Sequence, residues 1–475
     1  DYIKSRKYNN DLYAIDFSSP SYYPFMMYSK SDSLKSVMLK KYLNIGAPEN
    51  IRILNDIIIH RTRLAQILNY SNYTDYVLDD NMAENSINVW SFLKDLEYHA
   101  KVKSKIEYDN MINIKQEITG KNSDNVYQWE KYYYENEILK NIYSVDNNVI
   151  KEYFQLDHVL DGFFNISEQL FSIRYNKINN PSVWHKDVNM YSIFDMKTDN
   201  LLGYFYLDFF PRKGKYNGAA EYTIVSGKKL DSQYQKPVAA LVCNFPKPTN
   251  EIPSLLLHEE VETLFHEFGH LLHELLTTAD LVSQSGTNVS MDFVEMPSQI
   301  FENWAWNKDA LSLFAKHYKT GELIPENLLE RMIATKNIQS GTNLLQQIFY
   351  ASLDLSYFDG FIPDDYFSTT KVLKKLQNDI TPYHFIEGTY QQASFDHLID
   401  YGSSYYGYLW SAVYAQDMFS IFESQGIFNT EIGNRFREII LEPGGSVNPL
   451  ILIKEFLGRD LDKKAFLKNQ GINIV

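Results

Sequence analysis

Two histidines one helical turn apart, with a glutamate beside the first, are the residues of this chain best suited to chemistry. Residues 266–270 read H-E-F-G-H, an H-E-x-x-H motif. On an α-helix, residues four apart lie on one face, so His266 and His270 can direct their imidazoles at one metal ion. Glu267, one step round the helix, can accept a proton from water activated at that metal.

A tetrahedral zinc site needs a third protein ligand and leaves a fourth position open. The best candidate is Glu295, in the segment D-F-V-E-M-P-S-Q that follows the motif. Glu302 lies seven residues further on, two turns along the same face. It is either an acceptor for the ring N–H of a zinc histidine or a solvated glutamate, and the sequence leaves both interpretations open.

Helical periodicity around the motif indicates the element that must carry it. Apolar residues recur at helical spacing beside the histidines: Val261, Leu264, Phe265, Phe268, Leu271, Leu272 and Leu275. Ser254, just after Pro253, is the expected N-cap. Gly269 lowers helix propensity by about 1 kcal/mol relative to Ala, which indicates a packing or access reason for it. His258 and His273, on the same helix, are interpreted as structural or as supports for the ligands.

The chain changes character twice along its length. Residues 1–183 have long helical patterns with solvated charges and predict a helical lobe. Residues 184–250 alternate β-branched and aromatic residues, with turn signals at 198–200 and 213–214, and predict a small β region. Residues 251–475 return to helical patterns and form the expected catalytic region.

A second group of polar side chains lies in residues 397–408, which read HLIDYGSSYYGY. Imidazole and tyrosine O–H groups are suitable donors to the oxyanion that forms during peptide hydrolysis. From composition alone, a tyrosine cluster is more often packing than catalysis. The glycines at 402 and 407 would let this segment move onto a bound peptide.

Three segments carry a resemblance to a known family: HEEVETLFHEFGHLLHELL, SGTNVSMDFVEMPSQIFENWAW and FDHLIDYGSSYYGYLWSAVYAQDMF. They resemble the thimet oligopeptidase family of zinc peptidases, which includes bacterial oligopeptidases and dipeptidyl carboxypeptidases. The resemblance implies that Glu295 is the third zinc ligand. It also implies catalytic roles for His397, Tyr405 and Tyr408 beside Glu267. Tyr401 and Gly402 are implied to bind substrate.

The implied fold is a mainly α, two-lobed helical metallopeptidase with a deep substrate channel and a small β-sheet beside the zinc helix. The implied activity is zinc-dependent hydrolysis of internal bonds of short oligopeptides, with one Zn²⁺ per chain. Two alternatives stay open. A peptidyl-dipeptidase would release C-terminal dipeptides and needs a group for the terminal carboxylate. A non-catalytic peptide-binding protein is the other, and the intact ligand set argues against it.

Composition and charge limit the partners. The formal net charge is −15, which argues against nucleic acid or an anionic membrane as partner. The single cysteine, Cys243, excludes an intrachain disulfide framework and favours a reducing compartment. No apolar run reaches about 18 residues, so no transmembrane helix is expected. The expected protein is a cytoplasmic monomer that acts on short peptides. Family members are usually longer, so further helices are expected before Asp1.

Overall fold

The computed structural model describes residues 6–9 and 12–473, and the expectation about a segment before Asp1 lies outside them. In chain order the α-helices are α1 (Ser19–Tyr28), α2 (Asp32–Tyr42), α3 (Glu49–Ile67), α4 (Tyr73–Leu78), α5 (Ser86–Thr119), α6 (Lys131–Asn141), α7 (Asn147–Ile150), α8 (Leu156–Phe171), α9 (His258–Leu275), α10 (Met296–Trp306), α11 (Lys308–Phe314), α12 (Glu326–Ala334), α13 (Ser340–Phe358), α14 (Ser368–Ile380), α15 (His397–Asp400), α16 (Tyr406–Gln425), α17 (Thr430–Phe436), α18 (Pro449–Leu457) and α19 (Lys464–Asn469). The strands are β1 (Ile173–Lys177), β2 (Asn189–Asp195), β3 (Leu201–Asp208), β4 (Ala220–Val225), β5 (Lys228–Lys229), β6 (Tyr234–Gln235) and β7 (Val238–Val242). The prediction of a mainly α fold with a small sheet is confirmed.

The chain divides into two compact units, each made of segments that are distant in sequence. The first contains the described residues up to Ser144, together with Asn337–Tyr406 and Gln470–Ile472. The second contains Val145–Lys336, Gly407–Asn469 and Asn473. The domain boundaries expected from the sequence, after residues 183 and 250, remain a prediction. Within the described residues, no helix has both the length and the apolar character needed to cross a bilayer.

In the first unit, α13 packs along the 34-residue helix α5. The two helices approach closely, because a Cβ on Gly341 would lie 2.8 Å from the backbone N of Ser104. The buried carboxylate of Glu107 on α5 accepts hydrogen bonds from the backbone N–H groups of Gly341 and Thr342, at 3.2 and 2.9 Å. These contacts at the start of α13 hold residues 337–406, which are distant in sequence, against the rest of the first unit.

The second unit contains a five-stranded mixed sheet in the order β1-β2-β3-β7-β4. Strands β3 and β7 are parallel, and the other neighbouring pairs are antiparallel. The predicted turns at residues 198–200 and 213–214 are present, since Asp199 (φ 60°) and Gly214 (φ 81°) both adopt the left-handed backbone conformation of turns. Strand β4 ends the sheet, so its outer edge is not paired within the sheet.

One face of this sheet packs on α8 and α9 through aromatic rings. The ring of Phe163 on α8 stacks on Phe268 of α9 with centroids 4.4 Å apart. Phe205 on β3 contacts the same ring of Phe268 edge-on at 6.3 Å. All three rings are fully buried, so they fix α9, the helix that carries the H-E-x-x-H motif, between the sheet and α8.

The loop before β4 is held by a buried carboxylate. Asp208, 2% exposed, accepts two hydrogen bonds from Arg212 at 2.7 Å, one from Lys215 at 3.0 Å and one from Nε1 of Trp184 at 2.9 Å. Burial alone would raise the pKa of Asp208, but these donors lower it to about 2. The carboxylate therefore stays ionised, and it fixes the chain that leads into the edge strand.

Candidate metal centre

Helix α9 begins at His258, four residues after the expected N-cap, so the prediction of Ser254 as N-cap was wrong. Ser254 lies next to an isolated antiparallel bridge between Gln155 and Leu255, and its carbonyl accepts the N–H of Leu156 at 2.9 Å. The start of the helix is instead held by Glu260, whose Oε2 accepts the N–H of Leu257 at 2.7 Å. The seven apolar residues predicted for the buried stripe of α9 are all buried.

Gly269 is the point where α9 meets the start of α10. A Cβ at this position would lie 2.4 Å from the Cα of Ser298 and 2.6 Å from the carbonyl oxygen of Pro297. These are backbone atoms, which cannot move aside as the end of a flexible side chain can. Gly269 therefore has the packing reason expected from the sequence. The close contact brings Glu295, the residue immediately before α10, to the face of α9 that carries the histidines.

The two histidines and Glu295 form a compact group of potential metal ligands. Nε2 of His266 and Nε2 of His270 each lie 3.1 Å from Oε2 of Glu295. One ligand atom from each of the three residues lies within 4.8 Å of the others, the only such His, Cys, Asp or Glu group among residues 6–9 and 12–473. Tetrahedral ligands at roughly 2.0–2.1 Å from zinc stand about 3.3 Å apart, so this donor set fits Zn²⁺.

Glu302 orients the first histidine. Its Oε1 lies 2.7 Å from Nδ1 of His266. A carboxylate accepts this bond, so Nδ1 carries a proton, and Nε2 is the nitrogen that faces Glu295 and is left to bind a metal. This contact supports the interpretation of Glu302 as an acceptor for the ring N–H of a metal-binding histidine, and that role stays a prediction.

The charges of the group favour a cation. Burial would lower the pKa of His266, yet hydrogen bonds to Glu295 and Glu302 raise it well above its usual value. Burial would raise the pKa of Glu295, but His270 and His266 beside it lower that pKa well below its usual range. A site that stabilises positive charge on an imidazole in this way is electrostatically suited to a divalent metal.

Glu267 lies next to this group and is 7% exposed. Burial raises the pKa of its carboxyl, and the neighbouring His266 and His270 partly offset that shift. One of its oxygens is close to the backbone N–H of Glu221 on β4, which also lowers the pKa. No described residue hydrogen-bonds its Oε2. A buried carboxylate oxygen without a protein donor is well placed to take up a proton.

The edge strand β4 lies beside α9 on the side of Glu267. Glu221 faces this helix, and burial raises its pKa to about 8, with the negative charges of Glu274 and Glu267 adding to the shift. Tyr222 and Ile224 are 44% and 50% exposed. Because β4 is also the last strand of the sheet, an edge of the sheet lies next to the predicted general base.

The predicted residues His397, Tyr401, Gly402 and Tyr405 belong to the first unit. The ring of His397 lies 4.7 Å from that of Tyr405 and 5.4 Å from that of Tyr401, centroid to centroid. The hydroxyl of Tyr405 donates to Oε1 of Gln347 at 2.9 Å. Tyr401 is half exposed, whereas Gly402 is buried.

Tyr408 belongs to the second unit, as do His266, Glu267, His270, Glu295 and Glu302. Its side chain is 36% exposed, and its carbonyl accepts a hydrogen bond from Nε2 of Gln299 at 2.9 Å. The preceding Gly407 is packed, since a Cβ there would lie 2.9 Å from the carbonyl oxygen of Met291. These contacts tie the start of α16 to the segment that carries Glu295.

Two residues near the tyrosine segment carry contacts that the sequence did not predict. Arg61 donates to the carbonyls of Leu398 and Ile399. Asp354 accepts the backbone N–H groups of Ser403 and Tyr405. The available signal for Asp354 was an acidic residue inside the apolar helical run of α13.

A glutamate-bearing helix with two histidines one turn apart, and a further carboxylate at the start of a neighbouring helix, is typical of a class of metallopeptidases. The family model described as "Peptidase family M3" matches residues 25–472. The chain belongs to peptidase family M3, and the family predicted from the sequence is confirmed.

Known proteins align along most of the chain. The chain is 36% identical over 472 residues to the thimet-like oligopeptidase of Dictyostelium discoideum, covering 97% of this chain and 70% of that one. It is 35% identical over 475 residues to oligopeptidase A of Escherichia coli (strain K12), covering 97% and 69%. The solved structure "Pz peptidase A with inhibitor 2" superposes with a TM-score of 0.59 at 12% identity, over 95% of this chain and 70% of that chain, which supports the fold. With this family membership the chain is a metallopeptidase and not a non-catalytic peptide-binding protein, so the enzyme class predicted from the sequence is confirmed.

Proposed function

We propose that the protein is a zinc-dependent metallopeptidase that hydrolyses internal bonds of short oligopeptides, with one Zn²⁺ held by His266, His270 and Glu295. The observation that carries the proposal is the position of Oε2 of Glu295, 3.1 Å from Nε2 of both histidines, beside the buried carboxylate of Glu267. Relatives named oligopeptidase support the choice of oligopeptides as substrates.

The chain's own residues supply the proton transfers. When bound, the metal polarises the scissile carbonyl and makes water more acidic. Glu267 accepts the proton of the attacking water and then delivers it to the leaving amine. Glu302 keeps the proton of His266 on Nδ1, so that Nε2 remains a ligand.

The substrate backbone is proposed to pair with β4. Strand addition provides main-chain hydrogen bonds without requiring a particular sequence, which suits an enzyme of many short peptides. Support comes from the position of β4 at the end of the sheet and from the closeness of its Glu221 to Glu267. Tyr401 and Gly402 are proposed to contact substrate. His397, Tyr405 and Tyr408 are proposed to donate hydrogen bonds to the oxyanion, as the family resemblance implies.

The monomeric state and the cytoplasmic location expected from the sequence are part of the proposal. The buried single thiol of Cys243 supports a reducing compartment. The net charge of −15 supports peptides rather than nucleic acid as partners.

The experiment is a cleavage map on a ladder of quenched and end-blocked peptides, with and without chelator, together with metal analysis. We expect internal cuts, loss of activity with chelator, and about one zinc per chain in wild type but none in a variant with His266→Ala and His270→Ala. Glu267→Gln should keep the metal and lose about 10²–10⁴-fold in turnover. A stoichiometric metal in the double variant would refute the ligand set.

The same peptides separate the alternatives. Exclusive release of C-terminal dipeptides would favour a peptidyl-dipeptidase, and an end-blocked peptide would then resist cleavage. Tight peptide binding without turnover in the zinc-loaded protein would favour the non-catalytic alternative.

A further inference from the structure

We propose that Arg61 and Asp354 are positioning residues, which anchor the backbone of residues 398–405 and so fix the orientation of Tyr405 for the reaction. The inference rests on the proposed function, because it concerns a side chain proposed to donate to the oxyanion. Both anchors and the segment belong to the first unit. Neither anchor is proposed to touch substrate.

Asp354 holds the C-terminal end of the segment. The residue lies on α13 and is fully buried. Its Oδ1 accepts the N–H of Ser403 at 2.8 Å, and its Oδ2 accepts the N–H of Tyr405 at 3.0 Å. Each carboxylate oxygen therefore fixes one backbone amide, and the second of these amides belongs to Tyr405 itself. An amide side chain could not replace this pair, because it has only one acceptor oxygen.

Arg61 holds the N-terminal end of the segment. Its Nη1 donates to the carbonyl of Leu398 at 2.6 Å, and its Nη2 donates to the carbonyl of Ile399. Cζ of the guanidinium lies 4.9 Å from the ring centres of both Tyr73 and Phe358, which are themselves in contact. The planar fork of an arginine can hold two neighbouring carbonyls at once, which a lysine cannot do.

The space between the anchors explains Gly402. A Cβ on this residue would lie 2.4 Å from Nη1 of Arg61 and 2.8 Å from the ring of Phe358. A side chain at residue 402 would therefore displace the guanidinium or the ring, so the glycine leaves room for Arg61 in this position. The next residue, Ser403, has a left-handed backbone (φ 70°), and its hydroxyl pairs with that of Thr74 at 2.9 Å. Strained backbone of this kind persists only where surrounding contacts fix it.

The burial of the Asp354 carboxylate lowers the stability of the fold, which indicates that this residue does more than fill space. Burial raises the pKa of Asp354 to about 7, although the N–H groups of Tyr405 and Ser403 and the charge of Arg61 partly lower it. A buried carboxylate in the apolar interior of α13 destabilises the fold relative to an apolar residue of similar size. What the carboxylate of Asp354 provides in return is a fixed backbone at Tyr405, whose ring lies 4.7 Å from that of His397.

The test compares Asp354→Asn with Asp359→Asn in the zinc-loaded full chain. Asp359 is a matched control, since it follows the same helix and accepts a hydrogen bond from Nε1 of Trp90 at 2.9 Å without contacting the segment through that bond. We expect Asp354→Asn to lower kcat by about 10–100-fold with little change in KM, because small misplacements of a transition-state donor have effects of this size. Asp359→Asn should keep kcat.

A double variant separates positioning from general damage. If Asp354 acts through Tyr405, then adding Tyr405→Phe to Asp354→Asn should lower kcat little further. Hydrogen exchange of the amides of residues 403–405 should be faster in Asp354→Asn and unchanged in Asp359→Asn. The inference would be overturned if the two substitutions lowered kcat multiplicatively or if Asp354→Asn changed KM alone. Unchanged protection of the amides of residues 403–405 in Asp354→Asn would also overturn it.

A second variant tests the inference in case Asp354→Asn folds poorly. Arg61→Lys keeps the charge but cannot hold both carbonyls, so kcat should fall, while Arg63→Lys, at an exposed position of the same helix, should have no effect. An unchanged kcat in Arg61→Lys would count against the anchor. The failure of the proposed function is distinguishable, because zinc-loaded wild type would then cleave no peptide at all.

Discussion

Nδ1 of His266 lies 2.7 Å from Oε1 of Glu302, so a carboxylate on α10 fixes the tautomer of a histidine on α9. The contact spans 36 residues of sequence, and it depends on the close packing of the two helices at Gly269. Orientation of a ligand imidazole by a hydrogen-bonded carboxylate lowers the entropy lost on metal binding and raises the basicity of the imidazole.

Glu302→Gln should therefore weaken zinc binding by about 10–100-fold, because an amide oxygen is a weaker acceptor and the amide can also flip. The measurement is competition with a chelator of known affinity. Glu322→Gln is a suitable control, since Glu322 is an exposed residue of the loop before α12. Equal zinc affinity in both variants would contradict a role for Glu302 at the metal.

Gly269→Ala should destabilise the protein although it improves helix propensity. The propensity gain is about 1 kcal/mol, whereas inserting a methyl group 2.4 Å from the Cα of Ser298 forces backbone movement. Overpacking of this kind typically destabilises by about 1–3 kcal/mol before the gain is subtracted. Chemical denaturation measures the net effect, and Thr263→Ala on the same helix, which makes no such contact, is the control. An increase in stability for Gly269→Ala would show that the two helices can separate freely.

The sequence predicted the ligands on α9 and the apolar stripe because both depend only on helical spacing. It predicted Glu295 through a longer motif, and the packing at Gly269 supplies the physical reason why that residue reaches the histidines. The predicted start of α9 was wrong, because the carbonyl of Ser254 pairs with the N–H of Leu156, a residue distant in sequence. Local capping preferences carry no information on such a pairing.

The residues that anchor the backbone of residues 398–405 could not be predicted from sequence patterns, for a similar reason. Arg61 comes from a different segment of the first unit than Asp354 and Ser403, and the latter two are 49 residues apart in sequence. Gly402 was interpreted as a source of flexibility, and the structure gives it a steric reason in the guanidinium of Arg61. Whether the segment moves onto substrate stays a prediction.

His258 should make the protein sensitive to acid. Burial lowers the pKa of His258 to about 4, and its Nε2–H donates to the carbonyl of Ala305 at 2.7 Å. Because the folded-state pKa lies below the unfolded value of about 6.5, the unfolded chain binds a proton first as pH falls. The stabilisation is complete above pH 6.5 and is lost as pH decreases toward 4.

This loss amounts to at most about 3 kcal/mol, since each pKa unit corresponds to about 1.4 kcal/mol. His258→Phe removes the titrating group while keeping a ring against Trp306, whose centroid lies 4.1 Å away. We expect the variant to be less stable at neutral pH, with a smaller decrease in stability between pH 6.5 and 4. Parallel denaturation curves at several pH values provide the comparison, and identical slopes for both proteins would contradict the assignment.

Tyr405→Phe and Tyr408→Phe should lower kcat much more than they raise KM. A ground-state carbonyl is a modest acceptor, whereas the oxyanion of the tetrahedral intermediate is a strong one, so a phenolic O–H directed at it stabilises the transition state preferentially. Loss of one such donor typically costs about 10²–10³-fold in kcat. Tyr414→Phe, at a partly buried position of α16, is the control for general effects of removing a hydroxyl. Steady-state kinetics on one quenched peptide decide the matter.

In the structure the hydroxyl of Tyr405 donates to Gln347 at 2.9 Å, so this donor must exchange partners when substrate binds. Gln347→Leu should consequently leave kcat near wild type while Tyr405→Phe does not. If both tyrosine variants change only KM, the two hydroxyls bind substrate alone, and His397 with the metal must stabilise the oxyanion.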